Sequence, residues 1–337
     1  MIKSDIRKSL TTVDISQYDS VIETFSKRLE ARNLAESTAF SYIGCLKIFF
    51  AWCVLYLASK AAMALDYEDF RAFIAFLEQD GLMPRTINVY IAALKQFRHF
   101  IQKESWSRYE ITFKKYDRKL PRVPSTEQAG QLVDACSTNL EFLLIMLLLS
   151  TGMRISEVCA LTYSDIERDD RQIYVHPGKG RSDRHVPLDD LVLEALIAYC
   201  KETIELCREA GEPIPTKDSP IFRFKDGIRP ANTNFLSRAF KSINSRAFNG
   251  SHNFTPHSCR HYFALQVYLQ KYDLMLVMNL LGHRSLNATE VYLRLASAMS
   301  LRKDGYINPL HLCKKPDKDR PLFSRRKSED DDFVKLR

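Results

Sequence analysis

The sequence predicts a mainly α chain with a small β component (α+β), divided into two domains. Three observations carry this expectation. The 337 residues are 45% hydrophobic and 27% charged with only 11 Gly and 13 Pro, the make-up of folded rather than low-complexity protein, and the length suits two domains. Apolar residues recur at helical spacing over long stretches on both sides of a basic, proline-closed segment. A single pair of short β-prone runs flanks a glycine-rich turn in the second half.

Residues 14–107 read as a helical domain with glycines only at 44 and 81. Ser37 and Thr38 open a helix that carries Phe40, Ile43, Leu46, Phe50 and Val54. Pro84, Arg85 and Thr86 precede Ile87, Tyr90, Ile91, Leu94, Phe97 and Ile101, an i, i+3, i+4, i+7 stripe. A compact bundle of four or five helices is expected. Residues 108–124 contain Lys114, Lys115, Arg118, Lys119 and Arg122 and are closed by Pro121 and Pro124. Such a run is either a solvated interdomain connector or a polyanion contact. Ser125 and Gln128 form a capping box that opens a second domain, 125–310. In it, Phe142 to Leu149 reads as a buried helix. Gln172 to Val175 and His185 to Leu188 read as strands around Gly178-Lys179-Gly180. The tail 311–337 alternates blocks of like charge and is expected to be mobile.

The formal charge is +8, but it is uneven. Residues 1–120 hold 18 basic against 14 acidic side chains, 121–310 hold 22 against 21, and 311–337 hold nine against six. An anion site in the second domain must therefore be a local cluster, not a general field. Eight cysteines without a C-x-x-C pair resemble neither a disulfide framework nor a zinc ribbon, which fits a reducing cytoplasm. The longest uninterrupted apolar runs, Ile48 to Ala58 and Phe142 to Leu149, fall short of the roughly 20 residues that cross a bilayer. The first residues lack the apolar core of a signal peptide, so a chain with no membrane partner is expected.

Four local features carry candidate chemistry: Arg154 and Glu157 after the apolar helix, Lys179 at the hairpin tip, His257 and Arg260 after Thr255-Pro256, and His283 followed nine residues later by Tyr292. Each has an ordinary structural account. Arg154 and Glu157 could be a helical ion pair worth about 0.2–0.5 kcal/mol. Lys179 suits a turn, His257 could sit in a core, Gly282 could cap a helix, and Tyr292 is one of 15 tyrosines. Taken together, two arginines, a lysine and two histidines could surround one phosphate, with a tyrosine as candidate nucleophile. No acidic pair or Cys/His set suits a divalent metal, so the chemistry is expected to need no metal and no cofactor.

The order Arg154, Lys179, His257-x-x-Arg260, His283, Tyr292 resembles the tyrosine recombinase (phage integrase) family, from about residue 14 to about residue 305. Thr151-Gly-Met-Arg154-Ile-Ser-Glu157, the Gly-Lys-Gly hairpin with Arg184 and Pro187, Thr255-Pro-His257-Ser-Cys-Arg260-His261 and Leu280-Leu-Gly-His283 carry the resemblance. It implies a helical SAM-like core-binding domain followed by a mostly helical catalytic domain with a short antiparallel sheet. It also implies a site-specific DNA recombinase in which Tyr292 forms a 3′-phosphotyrosyl link, Arg154 and Arg260 stabilise the non-bridging oxygens, and Lys179 protonates the leaving 5′-oxygen. His257 would assist proton transfer, His283 would hydrogen-bond the phosphate, and Glu157 would support the site.

The implied partner is double-stranded DNA, gripped between the two domains with the basic residues 114–122 as contacts. A homotetramer on paired sites would exchange strands through a Holliday junction, with residues of about 296–312 packing on a neighbouring subunit, and an accessory DNA-bending protein is compatible. Nothing upstream of residue 14 has room for an arm-binding domain, so the simpler architecture is expected. Integration of a mobile element is the role first expected, with Xer-like dimer resolution as its alternative. A type IB topoisomerase and a catalytically silent DNA-binding regulator are further alternatives.

Overall fold

The computed structural model describes residues 9–32, 34, 36–102, 111–117, 120–176, 183–251, 254–283 and 285–299. They fall in two compact units, Met1–Arg118 and Lys119–Arg337, and the division lies inside the basic segment 108–124. Arg118, Lys119, the hairpin tip with Lys179, and the tail 311–337 lie outside the described residues.

The first unit holds four described α-helices: α1 (Asp19–Ala31), α2 (Glu36–Tyr56), α3 (Tyr67–Gln79) and α4 (Pro84–Gln102). Helix α2 buries Leu46, Phe49, Phe50 and Cys53, one face by the 3.6-residue period, and packs against α1 and α4. The core is aromatic, with Phe50 and Phe25 each set edge-on to Phe97 at 5.4 and 5.5 Å between centroids. Phe40 departs from the expected stripe and is 81% exposed. At 3.6 residues per turn it lies at the stripe's edge, rotated away from Leu46. By length and composition α2 is also apolar enough to cross a membrane. Its apolar face is instead covered by helices of its own unit.

The second unit opens as the capping box dictates: Ser125 Oγ accepts from Gln128 N, and Gln128 Oε1 accepts from Ser125 N, at the start of α5 (Thr126–Asp134). Helix α6 (Asn139–Thr151) is buried along nearly its whole length, as its uninterrupted apolar run requires. Around it pack α5, α7 (Ile155–Ala160), α8 (Asp190–Ala210), α9 (Thr233–Ala247) and α10 (Pro256–Lys271). The expected hairpin is present as β2 (Gln172–Val175) and β3 (Arg184–Pro187), with Tyr174 opposite His185 and Val175 opposite Arg184. A two-residue strand β1 (Ile166–Glu167) completes a three-stranded antiparallel sheet and is too short to show a period in the sequence. Two more helices, α11 (Leu274–Leu281) and α12 (Val291–Met299), pack on α10.

Helices α6 and α11 both end on a left-handed glycine, Gly152 at φ +63° and Gly282 at φ +62°. A Cβ on Gly152 would collide with the Phe263 ring and stand 3.0 Å from Leu281 Cδ2, whereas one on Gly211, equally left-handed at φ +68°, would meet open space. Gly211→Ala should therefore cost only the backbone strain, about 1–2 kcal/mol, and Gly152→Ala distinctly more. Urea midpoints of the two variants measure the difference; equal losses would show that the Phe263 contact yields without cost.

Candidate active site

The site is built on helix ends. Thr255 caps α10, its hydroxyl accepting from Ser258 N at 3.3 Å, and Pro256 occupies the first turn, where no N–H is needed. This start points Arg260, only 3% exposed, at the C-termini of two other helices. Arg260 Nη1 donates to Gly152 O at 2.6 Å and Nη2 donates to Leu281 O at 2.5 Å. Those carbonyls carry the negative ends of the α6 and α11 dipoles, a natural seat for a cation. The chain continues past the two glycine caps into Arg154 and His283.

Glu157 ties the arginines together. In the first turn of α7 its carboxylate accepts from Arg154 N at 2.8 Å and Arg154 Nη1 at 2.7 Å. Arg184 Nη2 donates to the same carboxylate at 2.7 Å, and Arg260 Nη1 stands 3.9 Å away. Burial pushes the Glu157 carboxyl up, but the Arg184 hydrogen bond, the Arg154 N–H and the Arg184 charge outweigh it and hold it at about 2. Arg184 also donates through Nε to Leu280 O at 2.7 Å, while Gly282, lacking a Cβ, lets its guanidinium pass. Arg154 keeps guanidinium N–H groups without partners among the described residues, on a side chain 16% exposed.

His283 and Tyr292 face this cluster. Burial and the charges of Arg260 and Arg154 push the His283 imidazole down to about 4, so it is neutral near pH 7. His283 Nδ1 lies 3.0 Å from Thr289 Oγ1, and Thr289 O accepts from Tyr292 N. Tyr292 is 1% exposed, and burial raises its hydroxyl to about 12 against the opposing pull of Arg260 and Arg154. Its Oη is 3.0 Å from His261 Nδ1. His257, one turn before His261 on α10, is exposed, and its charge reaches His261.

Arg154, Glu157, Arg260, His283 and Tyr292 are thus gathered, with His257 at the rim. Of the basic segment, Lys115 and Arg122 are exposed, whereas Lys114 forms an ion pair with Glu78 and exchanges hydrogen bonds between its backbone and the Asn88 side chain. Sequence reasoning gave no role to Arg184, His261 or Thr289. Arg184 had a readable signal, an arginine on the same strand face as buried Val186. His261 meets Tyr292 across 31 residues, and no local pattern reports that.

A helical unit joined to a second unit whose buried arginines and tyrosine suit a phosphodiester describes a DNA strand transferase. Residues 123–299 match the phage integrase family and residues 21–105 match the N-terminal SAM-like domain of phage integrases. The chain belongs to this family, the tyrosine recombinases, enzymes that cut and rejoin DNA through a tyrosine intermediate. It is 31% identical to tyrosine recombinase XerC of Bacillus pumilus over 248 residues, 71% of this chain and 79% of the relative. It is 30% identical to a tyrosine recombinase of Thermosipho africanus, covering 82% of this chain and 96% of the relative. The fold is shared with the Tn1549 transposon integrase in complex with transposon right end DNA (TM-score 0.63, 19% identity, 84% of this chain and 99% of that one). It is shared also with the XerH site-specific recombinase bound to palindromic difH substrate (TM-score 0.62, 24% identity, 90% and 95%).

Glu157→Gln leaves Arg154 and Arg184 without their anion and is expected to cost about 3 kcal/mol at neutral pH. The folded carboxyl titrates at about 2 against an ordinary 4.5, so its stabilisation is complete above pH 4.5 and is lost as pH falls through 2. The depressed histidines lose their stabilisation over a higher range, below their ordinary 6.5, in both proteins alike. Chemical unfolding should give a constant gap between wild type and Glu157→Gln from about pH 7 to 5 that closes below 4.5. A gap unchanged at pH 3 would show that another group carries the effect.

Proposed function

We propose that this enzyme is a site-specific recombinase of duplex DNA in which Tyr292 is the nucleophile. Its Oη bonds to the scissile phosphorus as the bond to the 5′-oxygen breaks, leaving a 3′-phosphotyrosyl link and a free 5′-hydroxyl; attack by a partner 5′-hydroxyl reverses the step. Arg154 and Arg260 stabilise the charge that develops on the non-bridging oxygens, a preorganised electrostatic contribution. His283 hydrogen-bonds the phosphate, His257 assists proton transfer, and Glu157 with Arg184 holds Arg154 in place. Lys179 protonates the leaving oxygen; that role rests on its place in the sequence motif. The observation that carries the reading is the buried Arg260, joined to the ends of α6 and α11 and acting on Tyr292 and His283 alike.

Four subunits pair two sites and exchange strands through a Holliday junction, with the segment 296–312 packing on a neighbour; an accessory DNA-bending protein is compatible. Leu295 and Ala296 are buried within their own unit, and the rest of that segment from 300 lies outside the described residues. Exposed Lys115 and Arg122, with Lys114, Arg118 and Lys119, contribute phosphate contacts. Integration of a mobile element is the role proposed first. Xer-like dimer resolution is its alternative, in keeping with relatives named XerC.

Nicked suicide duplexes tiled from the DNA on either side of the gene should trap covalent protein with the wild type, and Tyr292→Phe should bind the same duplex without forming adduct. Adduct from Tyr292→Phe would remove Tyr292 as nucleophile. Affinity should fall steeply with salt, about tenfold or more between 50 and 200 mM, because each neutralised phosphate releases counterion. A flat salt response measured by fluorescence anisotropy would exclude the basic segment as a phosphate contact.

A further inference from the structure

We propose that His261 is the docking partner of the nucleophile: its Nδ1 accepts the hydrogen bond of the Tyr292 hydroxyl and receives the phenolic proton as Oη bonds to phosphorus. The inference rests on Tyr292 being the nucleophile. Three observations carry it. His261 Nδ1 and Tyr292 Oη are 3.0 Å apart, with the rings 5.7 Å between centroids and tilted by 53°, so the contact is a hydrogen bond rather than a stack. Tyr292 is 1% exposed, so its hydroxyl has no bulk water to serve as acceptor. His261 also follows Arg260 directly on α10. A step of one residue turns a helix by about 100°, so one helical turn presents the guanidinium to the ends of α6 and α11 and the imidazole to α12.

The other end of the tyrosine is tied to the same site. Tyr292 N donates to Thr289 O, and the Thr289 hydroxyl meets His283 Nδ1. The nucleophile is thereby held at its hydroxyl by one histidine and at its backbone by a residue that touches another. The directions of the hydrogen bonds follow from protonation. Burial, with the charges of His257 and Arg260, pushes His261 down to about 4, so the ring is neutral near pH 7. Burial raises the Tyr292 hydroxyl to about 12, so the phenol keeps its proton. A neutral imidazole with its proton on Nε2 offers the Nδ1 lone pair, and the phenol donates to it. In the resting enzyme this wide separation leaves the proton on Oη, and His261 orients it. During attack the Oη–P bond forms, the P–O5′ bond breaks, electron demand at phosphorus makes Oη acidic, and its proton passes to the nitrogen already in contact. The 5′-oxygen leaves with a proton from the acid side of the site. Rejoining runs each transfer backwards.

The test is single-turnover cleavage at saturating DNA, with two nicked duplexes: one with the ordinary 5′-oxygen leaving group and one with a 5′-bridging sulfur, which leaves without a proton. His261→Leu should slow cleavage about tenfold or more. His261→Asn, whose amide oxygen falls near the position of Nδ1, should recover most of the rate, and His261→Gln, whose amide reaches the Nε2 position, should not. The sulfur substrate should rescue Lys179→Ala, a defect on the leaving-group side, and leave His261→Leu slow. A wild-type rate for His261→Leu, an Asn variant no faster than the Leu variant, or rescue of His261→Leu by sulfur would each overturn the proposal. If His261→Leu does not fold, the Asn and Gln rates decide alone. Adduct formation by Tyr292→Phe overturns the assignment of the nucleophile instead, and is read in a separate lane of the same experiment.

Discussion

Everything at the site depends on one buried guanidinium. Arg260 sits against the C-terminal carbonyls of α6 and α11, with Glu157 within 3.9 Å. Burying such a group costs several kcal/mol unless it is met by dipoles and opposite charge. Two helix ends and a carboxylate supply them. Because the carbonyls must be free to accept, both helices end on left-handed glycines rather than run on, and each break is followed by a side chain of the candidate site: Arg154 after Gly152, His283 after Gly282. Arg260 therefore places its neighbours, and replacing it would unseat two helix termini along with one charge.

The charge balance of the pocket suits its task. Arg154, Arg184 and Arg260 surround a single carboxylate in a segment that is close to neutral overall, with 22 basic and 21 acidic residues in 121–310. Two of the three arginines are engaged by backbone carbonyls, whereas Arg154 keeps donors without partners among the described residues. A local excess of fixed positive charge in low dielectric favours a state in which negative charge grows on non-bridging oxygens. Glu157 sharpens this by fixing the geometry of Arg154 without cancelling the excess.

Tyr292 feels two opposed influences. Its burial disfavours the phenolate, while the nearby arginines act in the opposite direction. It is linked through Thr289 to His283 and by its hydroxyl to His261.

The sequence by itself determined the elements whose cause is local. Ser125 with Gln128 and the unbroken run Phe142 to Leu149 name their helices because capping and apolar burial act within a few residues. The two longer strands show themselves by β-prone runs around glycines, and the catalytic candidates by order and spacing. What the tertiary structure alone decided is the set of contacts that cross long intervals of chain. Arg184 to Glu157, Arg260 to the ends of α6 and α11, and His261 to Tyr292 join residues 21 to 108 apart. Phe40 shows the same limit from the other side: its helix was legible, but its side chain at the edge of the apolar stripe is left exposed by the packing of the unit. Local propensity is written in adjacent residues, whereas a buried hydrogen bond between helices exists only once packing has brought its two ends together and excluded the water that would otherwise take one of them.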